Sequence, residues 1–210
     1  MGYGQVACDF ESGSLTGWIF SDPGRWTADS EIPLSGSFSM HHVFDNPEAG
    51  CDAAGLPLPF IRPDLGMTVW QFQLRHGYDP SSLNNWGVYL FSDGGPAGMA
   101  GGEPVSGFVL GVNLTGYDDT LRLWRSQAGT LSVVASTNIN WQTGIGTSAV
   151  ATIVVERTIG GEWVILVGKD GLSPVEAGSG ADATIFPVQC FGIRSLTPQP
   201  ATGSSGSTTL

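Results

Sequence analysis

Positive charge is nearly missing from this chain. Its 210 residues include one lysine, Lys169, and seven arginines against 19 acids, for a formal net charge of −11. A phosphate polymer needs a basic face that can release its counterions. None can be assembled here, which excludes nucleic acid and argues nearly as strongly against an anionic membrane surface. Charge of either sign is scarce: charged residues make up 13% of the chain, about half the usual share. The polar surface must therefore come from Ser, Thr, Asn, Gln and backbone. No apolar run approaches the roughly 18 residues of a membrane helix, so membrane insertion is not expected. Helical periodicity is missing too, because Gly or Pro interrupts every candidate window. Cysteine is limited to Cys8, Cys51 and Cys190, with no CxxC pair, which argues against zinc and redox sites. An odd count leaves one disulfide plus a free thiol, or three buried thiols. The first residues carry no charged start and no apolar stretch, so no signal peptide is read there.

What is present is apolar content, glycine and alternation. Apolar residues make up 41%, enough to bury a core, and 31 glycines with 13 prolines imply many turns. The period-2 signal of strands recurs. Residues 36–44 put Phe38, Met40, His42 and Phe44 on one face, and residues 68–76 put Trp70, Phe72 and Leu74 on one face. Residues 86–92, 107–114 and 188–196 alternate similarly, and 6–10 and 18–26 supply early strands. Two hairpins are predicted: 120–126 with 130–137, turning at Gly129, and 150–157 with 162–169, turning through Thr158 to Gly161. About ten strands without helices predict an all-β, two-sheet antiparallel sandwich of the jelly-roll type. Residues 1–197 form a single domain in this reading. Residues 198–210, rich in Pro, Gly, Ser and Thr, form a flexible linker to a neighbour in a larger protein. The long loops 45–66 and 92–106 are places where function is expected.

Two stretches carry a resemblance. The opening Asp9-Phe-Glu-Ser-Gly-Ser-Leu-Thr-Gly-Trp18, with Arg25-Trp26 and the run from Pro33 to His42, resembles the start of many secreted lectin-like sandwich domains. Trp70 to Phe72, Asp79 to Ser82, Trp86 to Asp93, Gly107 to Val112, Leu121 to Arg125 and Gly160 to Trp163 resemble a module of multi-domain secreted bacterial surface proteins. The resemblance implies a concanavalin-like or jelly-roll fold, a secreted or cell-surface location, and either glycan binding or adhesion. Modules of this kind close with an aromatic-Asp-Asp strand beside the first. Here the chain leaves Phe191-Gly-Ile-Arg-Ser-Leu196 for the linker, so the resemblance implies either a sequence cut before that strand or an edge filled from elsewhere; an unfilled edge is open to another chain's strand, and so to self-association.

No catalytic constellation stands out, so an enzyme is not expected. The paired acids of lectin-fold glycosidases, spaced Glu-x-Asp-x-x-Glu, are absent, and so is a Gly-x-Ser-x-Gly elbow. Asp9 and Glu11 share a face but read as a solvated edge. His42 lies on an apolar face and reads as a hydrogen-bonded core residue. Asp45, Asn46, Glu48 and Asp52 cluster in one loop and could hold a structural calcium, which wants six to eight oxygens. The seven tryptophans are more informative. Trp18, Trp26, Trp70, Trp86 and Trp163 read as core. Trp124 points away from Leu121 and Leu123, and Trp141 sits in a polar stretch. A sugar ring stacks its apolar face on an aromatic while amides and Arg bind its hydroxyls. Trp124, Trp141, Tyr117 and Tyr78 are stacking candidates on that chemistry, with Arg122, Arg125, Asn113, Asn140 and Gln142 as hydrogen-bond partners. The competing reading has these rings covering a sheet or a neighbouring domain. Polysaccharide or glycan is thus the expected partner, and a structural or adhesive domain is the alternative.

Overall fold

The computed structural model describes residues 5–43, 49–58, 61–198 and 208–209. Its strands are, in chain order, β1 (Ile19–Phe20), β2 (Trp26–Asp29), β3 (Ser39–His42), β4 (Gly50–Pro57), β5 (Thr68–His76), β6 (Asn85–Ser92), β7 (Gly107–Val112), β8 (Thr120–Gln127), β9 (Thr130–Asn140), β10 (Ala151–Arg157), β11 (Glu162–Lys169), β12 (Val175–Ala181), β13 (Cys190–Thr197) and β14 (Thr208–Thr209). They form two antiparallel sheets, ordered β1-β4-β13-β6-β7-β8-β9 and β12-β11-β10-β5-β14-β3-β2. This is the all-β sandwich that the alternation predicts. Both predicted hairpins form, with Gly129 and Gly161 at positive φ (80° and 85°). In β10, Ala151, Ile153, Val155 and Arg157 are buried while the residues between them are half-exposed.

The core between the sheets is aromatic. Trp163 stacks on Trp70 at 5.8 Å between centroids and meets Phe108 at 4.6 Å; Trp141 meets Trp86 edge-on at 4.7 Å. A second, smaller core lies on the outer face of the first sheet. There Tyr89, Val109 and Trp124 are covered by Val105 and by Met99 of a short helix, α1 (Pro96–Met99). A bulge between Tyr89 and Phe91 sends Tyr89 to this outer core and Phe91 to the main one.

Several elements differ from the sequence expectation. Residues 18–26 are not one strand: a 3-10 turn at Pro23–Arg25, capped by the Asp22 carboxylate on the Gly24 N–H, splits them into β1 and β2 on opposite sheets. Val6 to Phe10 form no strand; the chain turns back at Phe10 (φ 60°), whose ring packs on Trp18. β4 falls inside the stretch read as a long loop. Its small residues hide it from a hydrophobicity scan, yet Ala53 and Ala54 are fully buried, and a Cβ on Gly55 would sit 2.6 Å from Cys190 Sγ. Thr208–Thr209, read within the linker, instead pair with His41, Arg75 and His76.

Glycine also closes one side of the sandwich, where β12 lies against β9. A Cβ on Gly180 would fall 2.2 Å from the Val134 carbonyl oxygen. Gly180→Val is therefore expected to cost about 1–3 kcal/mol by overpacking, read by urea denaturation. The exposed neighbour Ser179→Val should change stability by less than about 0.5 kcal/mol.

Candidate functional site

One end of the first sheet carries a loop held in a strained but well-braced conformation. It connects β7 to β8 through residues 113–119. Asn113 and Asp119 flank it, both left-handed (φ 54° and 58°), a conformation that costs energy for any residue but glycine. They bond to each other twice: Asn113 Nδ2 donates to Asp119 Oδ1 at 2.6 Å, and the Asp119 N–H donates to Asn113 Oδ1 at 2.9 Å. Gly116 supplies a third positive φ (83°) at the tip. Asn85 Nδ2 braces the base from below through the Asn113 carbonyl at 3.2 Å. The loop thus presents Tyr117 to solvent, the residue being 86% exposed.

The turn after β9 packs beside this loop. Trp141–Ile145 form a single π-helical turn whose N-cap is Asn140; the Asn140 side-chain oxygen accepts from the Thr143 N–H at 2.9 Å. Asn140 Nδ2 donates to the Asp118 carbonyl at 3.0 Å, and the Trp141 N–H donates to the Asp119 carbonyl at 2.7 Å. Both loops are thereby fixed together, with Gln142 and Thr143 exposed on the second. Between them Arg122 forms a two-point ion pair with Asp118 and also donates to Ser136 Oγ at 3.2 Å. The Arg122 guanidinium holds the Asp118 carboxyl far below the usual carboxylate range, and Asp118 in turn raises Arg122. A carboxyl held low in this way is poorly suited to act as a general acid. Chemically the patch offers one flat ring, the carboxylates of Asp118 and Asp119, one guanidinium and several amides and hydroxyls.

Five of the sequence-selected residues, Asn113, Tyr117, Arg122, Asn140 and Gln142, thus come together. The others do not. Trp124 does point away from Leu121 and Leu123, but it is 0% exposed under the 113–119 loop, its Nε1 donating to Thr115 Oγ1 at 3.2 Å. Trp141 is also 0% exposed, because its π-turn tucks the ring against Trp86 in the main core. Neither ring can stack on a sugar in this conformation, and the covering role applies to both. Arg125 pairs with Asp182 at 2.9 Å, tying β8 to the chain after β12. Tyr78 lies in the bend just after β5 of the other sheet, half-buried beside the His76 ring. Asp118 and Asp119 also join the site. A Tyr-Asp-Asp tip between two alternating strands was the one available signal.

Of the calcium candidates, Asp45, Asn46 and Glu48 lie outside the described residues. Asp52 is buried on β4, where its Oδ2 accepts from His42 Nε2 at 2.9 Å, so it bridges the two sheets. That bond also satisfies His42 in the core, as read from sequence. Among the described residues no three His, Cys, Asp or Glu side chains gather as a metal site. The three cysteines are free: Cys8 is exposed, Cys51 half-buried and Cys190 buried, with burial pushing the Cys190 thiol up to about 11. Among the described residues no helix is long and apolar enough to cross a membrane.

No family model and no curated protein matches the sequence. Solved structures do match the fold. The carbohydrate binding module CBM66 from Bacillus subtilis is 14% identical, with 92% of this chain and 91% of that one covered and a TM-score of 0.53. The exoplasmic/lumenal domain of VIP36, in a Ca2+/Man3GlcNAc-bound form, is 8% identical over 95% and 83%, with a TM-score of 0.63. Peanut lectin is 13% identical over 95% and 91%, with a TM-score of 0.58. The chain has a lectin-type jelly-roll fold. Identities this low carry the fold and not the residues of any site.

Proposed function

We propose that this chain is a non-catalytic carbohydrate-binding module of a secreted or cell-surface protein. The observation that carries this reading is Tyr117. An aromatic ring left almost wholly in water, on a loop braced by reciprocal side-chain bonds, has no part in the core, and its rigidity lowers the entropic cost of receiving a ligand. Sugar stacks on such a face while Gln142, Thr143 and the Arg122–Asp118 pair meet its hydroxyls. Neutral glycans suit a chain of net charge −11. The likeness to lectin and carbohydrate-binding folds supports the substrate class, and the exposed ring supports the place.

The test is a glycan and polysaccharide array with the chain, followed by titration of the best saccharide. Tyr117→Ala is expected to weaken binding by at least about tenfold, roughly 1.4 kcal/mol, with an unchanged urea midpoint because the residue is almost wholly exposed. Gln142→Ala should give a smaller loss. Binding that survives Tyr117→Ala unaltered removes the site. A chain that binds no saccharide removes the function.

A further inference from the structure

The loop that carries Tyr117 is tied to its surroundings mostly on one flank. Trp124 and Arg122 of β8 donate to Thr115 and Asp118, and the turn after β9 donates to the Asp118 and Asp119 carbonyls. Among the described residues, one side-chain hydrogen bond reaches the loop from β6 on its other flank, from Asn85 Nδ2 to the Asn113 carbonyl. β6 and β7 pair with Trp86 opposite Val112, so Asn85 and Asn113 are the next pair outward. That is where the ladder ends and the loop begins.

Asn85 touches more than this loop. It is 1% exposed, and its Nδ2 also faces the Ser81 and Ser82 carbonyls at 3.3 Å each. Those two residues belong to a tight turn ahead of β6. The Ser81 N–H closes the turn on the Asn84 carbonyl at 2.7 Å, and the Leu83 N–H donates to Ser81 Oγ at 3.2 Å. On the opposite side Arg194 of β13 donates to Asn85 Oδ1 at 3.3 Å. The partners fix which way the amide faces. Carbonyls only accept and a guanidinium only donates, so the exchanged orientation would set acceptor against three acceptors and donor against donor. Asp has the shape but no N–H, and Leu has neither polar group. One buried amide thus holds the 81–84 turn, the base of the 113–119 loop and β13 in a single relation.

We propose that Asn85 is the positioning residue of the Tyr117 site: it acts through the loop, without touching sugar, and sugar affinity depends on it. The proposal rests on the glycan reading of that loop. A stacking ring helps a ligand only where it is already held in place before binding. Without the Asn85 donor the loop keeps its ties to β8 and to the turn after β9, and its β6 flank is free to swing, carrying Tyr117 with it.

The test uses the whole chain and its best array saccharide. Asn85→Asp keeps the shape and the Arg194 partner and removes only the donors. It is expected to weaken binding by at least about tenfold. In the Tyr117→Ala chain the same change should alter affinity by less than about twofold, because residues that act through one another are not additive. Amide exchange should quicken in residues 113–119 and stay as it was in β10 and β11. Asn85→Ala, which adds no charge, is read the same way if Asn85→Asp fails to fold. Gly180→Val, destabilising but remote from the loop, shows what lost stability alone does to both readouts. An Asn85 effect no larger than that of Gly180→Val overturns the proposal, as does full additivity with Tyr117→Ala or exchange that quickens throughout the sandwich. The two readings fail differently. A wild-type chain that binds no saccharide removes the glycan reading and this assignment with it; wild-type binding that Asn85→Asp leaves unaltered removes this assignment alone.

Discussion

Trp163→Ala is expected to remove about 3–5 kcal/mol of stability, the range for deleting a large buried aromatic. The ring is wholly buried and sits where the core is densest, against Trp70 and Phe108, with its Nε1 donating to the Asp182 carbonyl at 3.2 Å. β11, which carries it, is hydrogen-bonded on both sides by β10 and β12, so the strands cannot close over the space left. The loss reaches a charge as well. Arg157 is fully buried; its guanidinium lies 5.5 Å from the Trp163 ring centroid and donates to the Pro63 carbonyl at 2.9 Å and the Thr158 carbonyl at 3.2 Å. Removing the ring takes away the face that this cation rests on. With about 2–4 °C per kcal/mol for a chain of this size, the melting temperature should fall by roughly 10 °C. Ile159→Ala, in the exposed hairpin turn nearby, should leave it unchanged. A loss below about 1 kcal/mol for Trp163→Ala would contradict the packing described.

Acid is expected to destabilise the chain through His76. Burial, with His42 adding to it, lowers this imidazole from 6.5 to about 3. The folded state therefore refuses a proton that the unfolded state accepts below about pH 6.5. The cost is absent above that pH and grows as pH falls through the interval down to about 3, because the unfolded chain binds the extra proton. At pH 5 it amounts to roughly 2 kcal/mol. The groups around it include His42, bonded to Asp52, and the Tyr78 ring at 6.0 Å. Urea midpoints from pH 7 to pH 5 should fall in the wild-type chain and stay flatter in His76→Gln. Equal slopes would show that His76 does not carry the effect. Asp29, Asp64 and Asp118, all held below their ordinary values by partners, act in a lower window. Their stabilisation is present above the unfolded carboxylate value near 3.8 and is lost as pH falls below it.

Where large apolar residues alternate, the fold was legible. β5 and β11 fall where the pattern puts them, and the Thr158 to Gly161 turn closes its hairpin. β4 and β12 were not legible because their residues are small for a packing reason: Gly55 lies under Cys190, and Gly180 against the β9 backbone. A scan for large alternating side chains passes over both. The site was half legible. Periodicity assigned Trp124 correctly to the outer face of its sheet, but it cannot show that a loop and a helix cover that face with a second core. Trp141 looked exposed because its neighbours are polar; the π-turn that inverts the ring has no sequence period of its own. Asn113, Asn140 and Arg122 were chosen for amide and guanidinium chemistry. They meet because the reciprocal Asn113–Asp119 bonds and the Asn140 cap hold two turns together.

Hydrogen exchange of the chain with and without its best array saccharide tests the central reading most directly. Protection confined to residues 115–119 and 140–144 is the result expected if the sugar lies on Tyr117. Protection elsewhere, with those two turns unchanged, would contradict it.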